Sequence, residues 1–183
     1  MTNEPIIITP DFVWPEPDDS GDRTLANGAT IGQDARIERG AVIERGARIG
    51  RRASIGPGAV IGRGAVIEQY AVIEQDARIE QDARIEQYAV IEQYARIERG
   101  AVIGQGARVG PNARWIACVG FADGYYKDLC AVGDVAYIGA GCRWFTLGEA
   151  LRHWGDHEGD RRATMALMEG AKALAKLNNL KWE

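Results

Sequence analysis

Between residues 25 and 114 the hydrophobic and polar positions recur every six residues, a period that belongs to neither a helix nor a simple half-buried strand. The stretch IEQYAVIEQDARIEQDARIEQYAVIEQYAR, residues 67–96, shows five consecutive units. Divided from Leu25, the region gives fifteen hexapeptides, from LANGAT at its start to VGPNAR ending at Arg114. The first position is always aliphatic, and the fifth, from Ala29 to Ala113, is always Ala. On a helix, at about 100° per residue, successive first positions would point in three directions about 120° apart, leaving no single apolar face. Glycines at turn-like positions, with Pro57 and Pro111, oppose a helix further.

An extended conformation accommodates the pattern. Ala, a variable residue, Ile and then Gly or Glu form a short strand in which Ala and Ile share one side and the intervening residues the other. The two remaining positions carry QD, RG, PG, QG or PN, the chemistry of a bend. Strand and corner in alternation wind the chain about an Ile/Ala interior, each coil bonding to the next at roughly 4.8 Å. The predicted fold is mainly β, a parallel solenoid.

These units, Ile or Leu, then Gly or Glu, two free positions, Ala and a free position, resemble the hexapeptide repeat of the left-handed parallel β-helix, the acyltransferase-like superfamily. The resemblance covers residues 25–114 and implies a triangular cross-section, left-handed winding and three hexapeptides per coil, hence about five coils roughly 24 Å tall. It further implies acyltransferases acting on acyl-coenzyme A or acyl carrier protein, commonly trimers with a histidine at the cleft between subunits. This chain departs there: its two histidines, His153 and His157, lie beyond the repeats. The coils therefore offer no imidazole as general base or metal ligand. Ice binding would favour an outward ladder of Thr, and Thr30 stands alone among outward Arg, Val, Glu and Gly.

Charge divides the chain into three regions: an N-terminal capping segment (1–24, net −5), the repeat (25–114, thirteen Arg against eleven acids) and a C-terminal cap (115–183, net −1). In the repeat Arg alternates with Glu instead of clustering, so nucleic acid is not an expected partner. Arg36 with Glu38, Arg78 with Glu80, Arg84 with Glu86 and Arg96 with Glu98 are expected to pair within strands, or with charges on neighbouring rungs, as exposed ion pairs of at most about 1 kcal/mol. Outward Val42, Val60, Val66, Val72, Val90 and Val102 spread over three faces under triangular winding. They are compatible with a homo-oligomer, the trimer the resemblance implies, and equally with β propensity. Tyr70, Tyr88 and Tyr94 take corner positions, with Tyr70 and Tyr88 stacked on one edge.

The ends of a solenoid need covers. EPIIITPDFVW is expected to lie as a strand over the first coil, and PEPDDSGD to be irregular. In the C-terminal cap, RWIACVGFA, YYKDLCAV and VAYIGAGCRWF, separated by Asp123-Gly124 and Gly133-Asp134, predict antiparallel strands. TLGE at 146–149 is a capping box that opens a helix ending at Gly155. A second helix over about 160–178 presents Ala163, Leu167, Ala171, Leu174 and Leu177. The competing assignment is continued coiling, because VGDVAY and IGAGCR at 132–143 obey the hexapeptide pattern.

Candidate chemistry is confined to this cap. In HWGDHEGD, His153 and His157 stand four apart near Asp156, Glu158 and Asp160, but Gly155 and Gly159 favour a polar inter-helix loop over a metal site. Cys118, Cys130 and Cys142 lack paired C-x-x-C spacing and are read as reduced, buried small groups, with a Cys/His pair as the lesser alternative. Catalytic, cofactor and metal residues are accordingly assigned to none, and no cofactor is expected. The N-terminus carries no basic start or cleavable apolar run, and no segment approaches a membrane span. The sequence thus predicts a cytoplasmic, non-enzymatic repeat scaffold, its uniform units suggesting design, consensus engineering or recent duplication. The alternatives are an acyltransferase-like enzyme or a bacterial or phage binding module.

Overall fold

The computed structural model describes residues 2–122, 124–140, 143–155 and 162–182. The coils are built of two-residue strands recurring every six residues from Thr30–Ile31 to Arg108–Val109, and these strands fall into three parallel sets, one per side of a triangular coil. Partners lie eighteen residues apart: Val72 faces Val90, Arg78 faces Arg96, and Arg84 faces Val102. Three hexapeptides per turn are thereby fixed, and fifteen units make about five turns. Between coils Val72 N–H donates to Ala89 O at 2.9 Å and Glu74 N–H to Ile91 O at 2.8 Å.

The interior is the predicted one. Ile43, Ile55, Ile61, Ile73, Ile85, Ile91, Ile97 and Ile103 are all 0% exposed, with buried Ala beside them. Each buried Ile contributes roughly 1.5–3 kcal/mol relative to leaving it in water. The turn is made at the fourth position of every unit, where φ is positive in all fifteen cases, whether the residue is Gly40 (φ 82°), Asp76 (55°) or Tyr88 (60°). A left-handed residue there reverses the chain without breaking the ladder. Gly supplies it free of strain, and a side chain pays about 1–2 kcal/mol.

Of the two expected arrangements, pairing within a strand or between neighbouring rungs, the outward charges take the second. Arg84 bonds Glu68, Arg96 bonds Glu80, Arg108 bonds Glu92, and Arg114 lies 3.7 Å from Glu98. Each Arg thus reaches a Glu sixteen residues earlier, on the preceding coil. Side chains two apart on one strand are separated by nearly 7 Å, whereas neighbouring rungs lie about 4.8 Å apart. The outward valines do divide among the three sheets: Val42 and Val60, Val66 and Val102, Val72 and Val90.

At the N-terminal end, Ile6–Ile7 pairs antiparallel with Val42–Ile43, and Ile8 is buried, its N–H donating to Ala41 O at 2.9 Å. Arg23–Thr24 covers the edge at Thr30–Ile31. Between them PEPDDSGD carries no strand.

At the other end, one coil sheet continues into the cap. Strand Arg114–Ala122 extends it in parallel, and Tyr125–Val132, Val135–Ala140 and Arg143–Thr146 follow as an antiparallel meander. Continued coiling is excluded for 135–140, which pair antiparallel with 127–132. The difference lies in the Gly133-Asp134 turn: Gly133 at φ 60° closes a two-residue hairpin between Val132 and Val135. One face of this sheet sends Cys130, Trp115, Val132 and Trp144 onto the coil core, and the other packs Leu129, Ala131 and Ile138 against helices α1 (Leu147–Gly155) and α2 (Arg162–Leu177). Thr146 and Glu149 form the predicted capping box, Glu149 N–H donating to Thr146 Oγ1 at 3.1 Å and Thr146 N–H to Glu149 Oε2 at 2.8 Å.

The buried stripe of α2 is Thr164, Met168, Ala171 and Ala175, flanked by Leu167 and Leu174. Ala163 is exposed, and Leu177 is 78% exposed. The helix is rotated from the predicted face because its small residues allow close approach to the sheet, where Leu167 closes on Gly120. A Cβ at Gly120, φ 138°, would lie 2.6 Å from Leu167 Cδ2. No helix among the described residues is long and apolar enough to cross a membrane.

Candidate functional site

The candidates single out four places, and the structure separates them. Tyr70 and Tyr88 stack at 5.1 Å with planes 6° apart, as predicted, and Arg52 Nη1 donates to Tyr70 Oη at 3.1 Å while its guanidinium lies over the Tyr70 ring. Tyr94 stands on another corner, eighteen residues from Asp76. His153 lies within α1, the helix expected to end at Gly155: its ring stacks on Phe145 at 5.2 Å and meets Trp154 edge-on at 5.1 Å. His157, Asp156, Glu158 and Asp160 lie outside the described residues, as does Cys142. Among the described residues no group of three His, Cys, Asp or Glu is placed to hold a metal.

Of the three cysteines, Cys130 is fully buried, as expected, but Cys118 is exposed. Strand Arg114–Ala122 carries two irregularities, between Trp115 and Ala117 and between Cys118 and Gly120. In a regular strand, residues 115 and 118 would face opposite sides. The extra residue reverses the alternation, so Trp115 opposes Cys130 and Cys118 opposes Asp128. Asp128 and Cys130 are two apart on one strand and so share a face. Four groups converge there: an indole N–H, two thiols and a carboxylate.

Asp128 is 3% exposed. Burial raises its pKa to about 6, against the opposing pull of hydrogen bonds from the Trp115 indole, 3.5 Å away, and from the Cys118 thiol, and of the Lys127 charge. Cys118 is held above its usual value, first by partial burial and then by the Asp128 charge. Burial drives Cys130 higher still. Both sulfurs are therefore protonated at neutral pH, and Asp128 is mostly ionised. Lys127 projects to the helix side, 1% exposed, with Nζ donating to Ala122 O at 2.7 Å above the Trp154 ring.

Composition alone singles out neither Lys127 nor Asp128. Their signal is a charged pair inside the otherwise apolar YYKDLCAV, whose alternation sends one charge to each face of a strand covered on both sides. The arrangement can pass a proton between an exposed thiol and a carboxylate poised near neutrality, the elements of a nucleophile and its base.

The bacterial transferase hexapeptide model (six repeats) matches residues 28–63. Among solved structures, the acetyltransferase domain of PglB from Neisseria gonorrhoeae is 17% identical at a TM-score of 0.35. That alignment covers 53% of this chain, which spans about half (49%) of the Neisseria domain. A hexapeptide transferase family protein from Anaplasma phagocytophilum is 18% identical over 89% of this chain and 90% of its own, with a TM-score of 0.26. Neither likeness, at these values, bears on substrate or site. No curated protein matches.

Proposed function

We propose that this chain, a hexapeptide-repeat protein of left-handed parallel β-helix fold, is acyltransferase-like, with its coils as rigid support and its reacting groups in the cap. The match of the transferase hexapeptide model to residues 28–63 supports the class. The observation that carries the site is the placement of the exposed Cys118 directly opposite Asp128 across the strand pair, where burial has pushed the Asp128 carboxyl up to about 6. The reaction is acyl transfer from a thioester to an amine or hydroxyl.

Cys118 is not a standing thiolate, so activation follows the pattern of a hydroxyl nucleophile and its base. As Sγ bonds to the thioester carbonyl carbon, the thiol proton passes to Asp128. Collapse of the tetrahedral intermediate breaks the carbon–sulfur bond of the donor, whose thiolate takes the proton back and departs as a thiol. The acceptor then attacks the Cys118 thioester, gives its proton to Asp128, and Cys118 leaves and is reprotonated. Trp115 Nε1–H holds the carboxylate in place. Release of free thiol from short-chain acyl thioesters, with amine and hydroxyl acceptors, tests this. Cys118→Ala and Asp128→Asn should abolish turnover and His153→Ala should retain it. Wild-type turnover in Cys118→Ala would overturn the assignment.

One observation favours a second reading, a support without turnover: residues 1–152 contain no His, and four outward Arg of the later coils are matched by Glu. Absence of acceptor-dependent thiol release from any donor would favour it.

A further inference from the structure

The rule by which outward Arg find their partners fails at Arg36, Arg48 and Arg78, whose positions sixteen residues earlier are Ser20, Gly32 and Gly62, and of these three Arg48 lines a groove. Arg84, Arg96, Arg108 and Arg114 each meet a Glu sixteen residues earlier. For Arg48 that position is Gly32, and Arg48 has no ion pair among the described residues. It lines an open groove of about 440 Å³ on the face that carries Thr30, Arg48 and Val66. Gly32 and Gly50, which also line it, leave its floor free of side chains, and the backbone closes in around them: a Cβ on Gly32 would lie 2.6 Å from Arg51 N, and one on Gly50 2.6 Å from Gln69 N.

The walls are preorganised and polar. Arg51 is held by Asp22 at 3.7 Å and donates to Ser20 O at 3.1 Å. Glu68 is engaged by Arg84, so its charge is already matched. Thr30, Gln69 and Gln87 add a hydroxyl and two amides. Gln69 and Gln87 directly precede Tyr70 and Tyr88, so the stacked rings stand on the corner beside the groove. With Arg51 and Glu68 matched, the remaining charge is the one positive charge of Arg48, next to neutral donors and acceptors.

We propose that this groove binds a small hydroxylated anion, a sugar acid or sugar phosphate, with its anionic group on Arg48 and its hydroxyls on Thr30, Gln69 and Gln87. The class follows from the chemistry: one uncompensated guanidinium suits a single carboxylate or phosphate, and amides with a hydroxyl suit a polyol. The site is independent of the acyl-transfer reading.

Binding to the full chain is measured by calorimetry with glucuronate, glucose 6-phosphate, glucose and acetate as probes. Glucuronate or glucose 6-phosphate should bind, with a dissociation constant of about 1 mM in low salt, and the arm that binds more tightly identifies the anionic group. Arg48→Gln should weaken that binding about tenfold. Thr30→Val, a smaller change, should weaken it while leaving acetate unaffected. Unchanged affinity in Arg48→Gln, failure of both sugar anions to bind, or acetate binding as tightly as glucuronate would each overturn the proposal.

Discussion

Tyr88 and Tyr94 form a matched pair for measuring what holds an aromatic side chain in a conformation that disfavours it. Their φ values are 60° and 59°, and both side chains are 52% exposed. They differ in their neighbours: Tyr88 stacks on Tyr70 at 5.1 Å, and Tyr94 has no ring partner among the described residues. Replacing either by Gly releases left-handed strain of roughly 1–2 kcal/mol, offset by the extra freedom of Gly in the unfolded chain, about 0.5–1 kcal/mol. Tyr94→Gly should therefore be neutral or stabilising by up to about 1 kcal/mol. Tyr88→Gly loses the stack as well, about 0.5–1.5 kcal/mol. The backbone contribution cancels in the comparison, so Tyr88→Gly should be the less stable variant by about 1 kcal/mol, or roughly 2–4 °C in Tm for a chain of this size. Thermal and urea unfolding of the two variants, with Tyr70→Gly/Tyr88→Gly to close the cycle, read the difference directly. Equal stabilities would refute the claim that stacking offsets the strain at this corner.

Other outcomes follow from the same geometry. Ile79→Asp puts a carboxylate among stacked Ile and should cost about 4–6 kcal/mol, whereas Arg78→Ala, which removes an outward side chain facing Gly62 sixteen residues back, should cost less than about 0.5 kcal/mol; similar losses of Tm would reject the inward and outward assignment. Deleting residues 67–84 removes one whole turn of the eighteen-residue register and should leave a folded, less stable chain. Deleting 67–72 rotates one cap by a third of a turn and breaks the Tyr70–Tyr88 stack; a folded six-residue deletion beside an unfolded eighteen-residue one would contradict the register. Because Asp128 binds its proton more tightly when folded, with a pKa of about 6 against 3.8, stability should fall as pH rises from about 4 to 6 and level off above, by roughly 3 kcal/mol at most. Asp128→Asn should flatten that dependence, and an unchanged slope in chemical unfolding would show that other groups carry it.

The solenoid was legible because each unit repeats one decision fifteen times: Ile and Ala inward, a bend at the fourth position. Where the residue at that bend is Tyr70 or Arg52 instead of Gly, the register imposes the left-handed conformation that local preference opposes. The partners of the outward Arg were not legible within one strand, because pairing depends on the spacing between coils. The cap shows the limit most clearly. Its strands, turns and capping box follow from local chemistry, but the irregularities around Cys118 reverse the alternation on which any facing argument rests. The meeting of Cys118, Asp128 and Trp115 therefore depends on tertiary register. The rotated face of α2 has a similar origin, in which Gly120 admits Leu167 and turns Ala171 and Ala175 inward.

Whether Cys118 takes an acyl group from a thioester separates an acyl-transfer enzyme from a bare support. Intact-mass spectrometry of the full chain after brief exposure to an acyl thioester, without acceptor, measures this. The predicted result is one added acyl group, mapped to Cys118 by peptide analysis. It should form faster as pH rises through about 6, where Asp128 ionises, be slowed in Asp128→Asn and be discharged by an added amine. Acylation that spares Cys118, or that proceeds at the same rate in Asp128→Asn at pH 7, would contradict it.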